Sequence, residues 1–373
     1  MRSALSFSLA LLIACIVALA AGCATPAPPR AQRAPEDVHA QLLRLLPNHV
    51  ADKEGWARDI QTPFRVLDIP PSTENLCAVL AVTEQESGFN ADPPVAGLPT
   101  IARQEIDRRA ARMGVPQLAV NAALRLTSAD GRSYGERLRN VRSERELSEL
   151  YQELIARVPL GARFLAGANP VRTAGAMQVG IDYAQRHARE HPYPYSGAAA
   201  IRDEVFTRRG GMYFGIAHLL DYPNSYQRHL YRYADYNAGH YASRNAAFQA
   251  AVAAASGIAL ALDGDVLLEG GNKVGATEQA VRSLGPQLGL SDARIRDDLQ
   301  LGDRFEFERT QTYERVFALA ERAGGKPLPR AVVPTIALES PKITRKLTTA
   351  WFADRVERRY RNCINRAYVA PAG

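Results

Sequence analysis

The chain's 373 residues are enough for one large domain or for a core with an inserted subdomain, and 46 Lys and Arg against 39 Asp and Glu make it basic. Such an excess suits an anionic polymer or a membrane surface. Nucleic acid is set aside because neither zinc-finger spacing nor an RNA-binding aromatic signature occurs, and no nucleotide-binding glycine loop or nucleophile elbow occurs either.

In chain order, residues 1–22 carry one charge, Arg2, then an apolar run from Leu9 to Ala20, and the small residues Ala20, Ala21 and Gly22 directly ahead of Cys23. This pattern predicts an export signal with a lipoprotein-type cleavage site and acylation of Cys23. The apolar run is shorter than the ~20 residues a membrane-spanning helix needs. Ala24, not the Asp associated with inner-membrane retention, follows Cys23, so the expected address is the outer membrane, lipid-anchored and facing the periplasm. Thr25 to Pro35 hold Pro26, Pro28, Pro29 and Pro35, a composition expected to form an extended tether of roughly 35 Å.

Helical periodicity fills nearly all of the rest. Apolar spacing predicts helices over 36–47, 52–62, 73–87, 100–113, 116–126, 143–158, 180–190, 201–221, 225–236, 243–256, 276–287, 291–299, 305–323 and 342–365. The 143–158 helix has a capping box in Ser143 and Glu146, followed by one stripe of Leu147, Leu150, Tyr151, Leu154, Ile155 and Val158. The one strand signal is Ile258 to Leu268, with Asp263-Gly264 as a hairpin turn. The expected class is mainly α with a small β-hairpin.

Cys15 leaves with the signal and Cys23 takes the lipid, so Cys77 and Cys363 remain in an oxidising compartment. One disulfide between them is expected, with two separate buried thiols as the alternative. His187 and His191 stand four apart on a predicted helix and could bind a metal, but among Arg186, Arg189 and Glu190 they read as a solvated face. Asp263-Gly264-Asp265 lacks the other ligands of a calcium loop. No metal or cofactor is expected.

The chemically informative helix starts at a capping Ser72 or Thr73, runs through Leu76, Val79, Leu80 and Thr83 to Glu86, and is stopped by Gly88. At 3.6 residues per turn Glu86 shares the face of that apolar stripe, while Glu84 points away and reads as a surface residue. A partly desolvated carboxyl at the negative end of a helix dipole is expected to keep its proton and so to serve as an acid.

Around it stand three short segments in order: Glu86-Ser87-Gly88-Phe89-Asn90, Thr173-Ala174-Gly175-Ala176-Met177-Gln178, and Ala234-Asp235-Tyr236-Asn237-Ala238-Gly239. Together they resemble the Glu-Ser, Gly-Leu-Met-Gln and Ala-Tyr-Asn-Ala-Gly motifs of the lytic transglycosylases with a goose-type lysozyme fold. Thr312-Tyr313 resembles a late motif of the same family whose Tyr lines the site. Ala176 replaces the family's Leu, Asp235 replaces its Ala, and residues 92–170 stand where the family has a short connection.

The resemblance implies a lysozyme-like helical domain with an inserted helical subdomain. The expected organisation is signal peptide 1–22, lipidated Cys and tether 23–35, first part of the lysozyme-like domain 36–91, helical insert 92–170, remainder of that domain 171–330, and linker with C-terminal helix 331–373. It further implies cleavage of the MurNAc–GlcNAc bond of peptidoglycan glycan strands to 1,6-anhydromuramoyl ends, with Glu86 acting first as acid and then as base. Ser87, Met177, Gln178, Tyr236, Asn237 and Tyr313 are the implied substrate-binding residues. Two alternatives stand beside this reading. One is a muramidase-type hydrolase with Asp92 as the base for water. The other is a non-catalytic envelope lipoprotein that grips glycan strands through the same groove.

Overall fold

A computed structural model describes residues 33–157, 166–197, 200–268, 273–338 and 345–368. The signal, Cys23 and all but the last residues of the tether lie outside the described residues. The described residues from His39 onward form one compact unit.

The chain is mainly helical. After α1 (Pro35–Leu45) come α2 (Lys53–Val66) and α3 (Thr73–Glu86). Ser72 caps α3 by accepting the Asn75 N–H at 3.2 Å. From Leu76 to Thr83 every residue of α3 is buried, so the single apolar stripe expected of it is replaced by burial on all sides. Its second cover is the C-terminal helix α17 (Thr349–Tyr368), which packs along both α3 and α11 (His229–Ala238). Cys77 and Cys363 form a disulfide across the α3–α17 contact, with Cα atoms 5.5 Å apart and both residues buried. Glu84, expected at the surface, lies 3.8 Å from Arg359 of α17, and Arg355 donates to Gln85.

Between α3 and the next motif run α4 (Leu98–Arg112), α5 (Gln117–Arg125), α6 (Tyr134–Asn140) and α7 (Glu144–Arg157). Helix α6 was not expected from periodicity; Ser133 and Glu136 form its complete capping box. At α7 the Glu146 carboxylate reaches instead the N–H of Arg142, one residue before Ser143. Apolar residues of all four helices share one core cluster with Val171, Ala174, Val179, Ile181, Tyr213 and Phe214.

A short antiparallel hairpin follows, β1 (Thr173–Ala174) with β2 (Val179–Gly180), leading into α8 (Ile181–Glu190). The predicted 201–221 helix is two: α9 (Ile201–Val205) and α10 (Arg208–Leu220). Thr207 divides them because its hydroxyl caps α10 at the Gly210 N–H. A Cβ on Gly210 would lie 2.0 Å from the Glu204 carbonyl oxygen, so this turn requires glycine.

The C-terminal third packs α12 (Ala242–Ser256) against α13 (Ala276–Ser283) and α16 (Gln311–Gly324), while α14 (Gly285–Leu288) and α15 (Asp292–Leu299) pack on α13 and α16. The hairpin expected over 258–268 does not form. That segment crosses α12 instead, and the Gln249 side chain takes the role of a partner strand: it accepts the Gly264 N–H at 2.8 Å and donates to Asp263 and to the Asp265 carbonyl. A second short ladder pairs β3 (Ala337–Leu338) with β4 (Leu347–Thr348). Among the described residues no helix is long and apolar enough to cross a membrane.

Candidate active site

Glu86 is the last residue of α3 and is half-buried. The helix stops there because Ser87 turns its hydroxyl back to the Thr83 carbonyl at 3.2 Å and accepts the Asn90 N–H at 3.3 Å. Gly88 and Phe89 then both take left-handed conformations, φ 59° and 64°. For Phe89 that conformation is costly, and it is held by burial of the ring edge-on against Trp56, centroids 5.4 Å apart. Ser87 therefore fixes the end of the helix and does not line the groove that Glu86 faces.

The second motif is the turn of the β1–β2 hairpin. Gly175 has φ 74°, and a Cβ there would lie 2.2 Å from the Val205 carbonyl oxygen and 3.0 Å from Gly211 Cα. The turn is thus pressed onto the start of α10, which leaves Ala176 fully buried. Met177 is also fully buried, its side chain against Gly215 of α10, so its thioether belongs to the core. Gln178, at φ 50°, turns outward; its amide donates to the Gly175 carbonyl and accepts from the Thr173 hydroxyl, both at 3.3 Å.

The third motif ends α11. The Tyr236 hydroxyl donates to the Met177 carbonyl at 2.7 Å, joining the second and third motifs directly. Burial, then the nearby Glu86 charge, push the Tyr236 phenol far above its ordinary range, so it remains a donor. Asn237 is exposed on the groove. Asp235 points the other way: fully buried, it accepts from the Tyr222 and Tyr226 hydroxyls and from the N–H groups of Tyr241 and Ser243. Its carboxylate shapes the α11–α12 turn, which accounts for an acid where Ala was the motif's residue.

These pieces enclose a groove of about 810 Å³. Glu86, Gln178, Tyr236 and Asn237 line it together, although they come from segments up to 151 residues apart. Pro93, Pro94, Val95 and Glu144 line it from the 92–170 segment, and Asp182, Tyr183 and Arg186 from α8. His218 of α10 completes it; its ring lies 4.5 Å from those of Tyr183 and His240 and 4.9 Å from that of Tyr236. Desolvation, reinforced by His240, lowers its pKa to about 3, so the imidazole is neutral. Tyr183, Arg186, Glu144 and His218 escaped sequence reasoning because none sits in a recognisable word. Only the folded chain brings them together.

Besides Ser87 and Met177, two more expected residues do not line the groove. Tyr313 is in the C-terminal core, packed with Phe248, Phe307 and Phe317, and does not line the groove. Asp92 accepts from the Ser143 hydroxyl at 3.0 Å and lies 4.0 Å from Arg145, tying the loop after α3 to the start of α7. His187, read as part of a solvated face, is buried. Cys23 lies outside the described residues.

A family described as "Protein of unknown function (DUF1615)" matches residues 49–366. The chain is also similar to a protein of Escherichia coli (strain K12) described as "Uncharacterized protein YaiW", with 49% identity over 350 residues, 93% of this chain and 96% of the relative. No solved structure matches the chain significantly.

Proposed function

This chain belongs to the DUF1615 family, and we propose that it is a lytic transglycosylase of peptidoglycan, anchored to the outer membrane through Cys23 and facing the periplasm. The reading takes residues 36–91 and 171–330 as a goose-type lysozyme-like domain. The observation that carries it is the convergence of three ordered motifs on one groove, with the acid Glu86, the amide of Gln178 and the exposed amide of Asn237 all lining it.

The chemistry follows from what those groups can do. Glu86 gives its proton to the glycosidic oxygen, and the C–O bond to the muramoyl carbon breaks. The substrate's own 6-hydroxyl closes on that carbon, and Glu86 takes back the proton the hydroxyl loses. The acid is regenerated and no water is consumed. Gln178 keeps one N–H and a carbonyl lone pair beyond its internal bonds, and Asn237 keeps its whole amide for acetamido or hydroxyl groups. Tyr236 acts through position: its bond to Met177 holds the hairpin turn against α11. Arg186 gives the groove a cation suited to the acidic groups of stem peptides.

A second reading, hydrolysis to reducing ends, loses Asp92 as its base, since that carboxylate is engaged away from the groove. It is favoured by a different observation: Glu144 and Asp182 also line the groove, and either carboxylate can activate a water. Digestion of purified sacculi with the full-length protein in detergent, followed by mass spectrometry of the released muropeptides, separates the two. Anhydro ends, one water lighter than reducing ends, are expected. Release of reducing ends alone establishes hydrolysis, and no release at all contradicts both.

A further inference from the structure

His187 lies in the last turn of α8 and His191 caps the C-terminal end of that helix. One turn apart, their rings stack with centroids 4.3 Å apart. Asp221 caps the C-terminal end of α10 and brings a carboxylate oxygen to 3.6 Å from His187 Nε2. One ligand atom from each of the three residues lies within 4.8 Å of the others.

That 3.6 Å separation is too long for a hydrogen bond, and neither ring nitrogen of His187 has a hydrogen-bond partner, although the residue is only 5% exposed. Aromatic rings close it in: Tyr183, Tyr213 and Phe214 stand 5.7 to 6.0 Å away. A buried imidazole with both nitrogens unsatisfied costs free energy that the surrounding apolar rings cannot return. The residues around it explain its burial but not its polarity.

A cation answers both. A tetrahedral zinc ion holds nitrogen and carboxylate ligands at about 2.0–2.2 Å, which spaces ligand atoms roughly 3.4 Å apart. The existing 3.6 Å pair is already near that value. Two helices end here together, so the negative ends of two dipoles converge where the positive charge would sit. His191 is exposed and Asp221 partly so, which leaves the fourth position to water.

We propose that His187, His191 and Asp221 form a binding site for a divalent transition-metal ion of imidazole-binding character, with zinc as the ion it fits. The ion joins the C-terminal end of α8 to that of α10. Both helices line the groove, and Tyr183 stands between the two places, 5.7 Å from His187 on one side and 4.5 Å from His218 on the other. The site's role is to lock the α8 wall of the groove, and it stands independently of what the groove cleaves.

The test uses the full-length protein in detergent, stripped with a chelator and titrated with zinc chloride alone by calorimetry. One zinc per chain is expected, together with a rise in thermal midpoint on adding the metal. His191→Ala and Asp221→Asn change groups at the surface and so keep the fold, which circular dichroism checks. Loss of a supporting outer-shell partner typically weakens metal binding by about 10–100-fold, so loss of a ligand is expected to weaken it by more than roughly 100-fold. The zinc-dependent rise in midpoint should vanish in both variants. Absence of stoichiometric zinc binding by the parent protein, or binding by both folded variants as tight as the parent's, overturns the proposal.

Discussion

His218 shows how much of the groove depends on neutral polar groups. Tyr183, Tyr236 and His240 surround its ring, Nε2 lies 3.2 Å from the Tyr236 carbonyl oxygen, and Arg186 adds a like-charge penalty to protonation. With the folded pKa near 3 and an unfolded value near 6.5, the unfolded chain binds a proton across that interval that the folded chain refuses. Stability attributable to this residue is therefore full above pH 6.5 and declines as pH falls toward 3. At pH 5 the loss is at most about 2 kcal/mol. His218→Gln keeps a donor for the Tyr236 carbonyl without the titration, so its thermal midpoint should fall less than the parent's between pH 7 and pH 5. Parallel pH curves for the two proteins would show that His218 does not carry the effect. A residual slope is expected from His229 and His240, whose pKa values burial also lowers.

At the same scale, the words Glu86-Ser87, Met177-Gln178 and Tyr236-Asn237 were legible in the sequence, but the division of labour inside each was not. Some members face the groove and others serve the helix end or the core. Ser87 caps, Met177 packs under Gly215 and offers only its carbonyl, and Tyr236 spends its hydroxyl on that carbonyl. A motif names the neighbourhood; side-chain direction decides the role. Tyr313 shows the opposite failure, since a dipeptide likeness in a helix says nothing about which face is buried, and here the buried face belongs to a different core.

The pairing of α3 with α17 is the element-scale feature on which the site most depends. α3 is buried on all sides, and the last helix of the chain supplies one of its covers, fixed by Cys77–Cys363 across 286 residues of sequence. In the chain-entropy account a link closing so long a loop stabilises by up to about 5 kcal/mol, and removing a native disulfide commonly costs about 2–5 kcal/mol. Cys77→Ala with Cys363→Ala should lower the denaturation midpoint by an amount in that range, while initial rates at low temperature stay near the parent's. Superimposable denaturation curves would mean that packing alone holds α17 in place.

Most helices were readable because a 3.6-residue apolar period survives packing. The exceptions have local causes. The 201–221 and 305–323 stretches keep an apolar period across a break that a threonine cap imposes, at Thr207 and at Thr310. Helix α6 is only 7 residues long, too short for periodicity to show, though its Ser133–Glu136 box was there to be seen. The expected 258–268 hairpin failed because Gln249, from a helix that precedes it, satisfies the backbone a partner strand would have served.

For the molecule as a whole, the proposal sets a lipid anchor at Cys23, expected from the sequence, beside a groove that only the fold builds. The chain's excess of basic residues suits an anionic polymer or a membrane surface. Cys23→Ser removes the proposed acylation site, so the variant should leave the membrane fraction and appear in the soluble periplasmic fraction. Retention of the variant in outer membranes would refute the lipid anchor without touching the assignment of the groove.

Glu86 is the group proposed to move the proton in glycan cleavage, and Glu86→Gln takes that proton away. The amide preserves shape and polarity but has no proton to give. Removal of a general acid typically costs about 10²–10⁴-fold in rate. Glu84→Gln is the matched control, two residues away and paired with Arg359 of α17. Initial rates of muropeptide release from sacculi should fall by that factor in Glu86→Gln, with glycan binding retained, and stay at the parental level in Glu84→Gln. A folded Glu86→Gln protein that releases anhydro-muropeptides at the parental rate would show that Glu86 is not the acid.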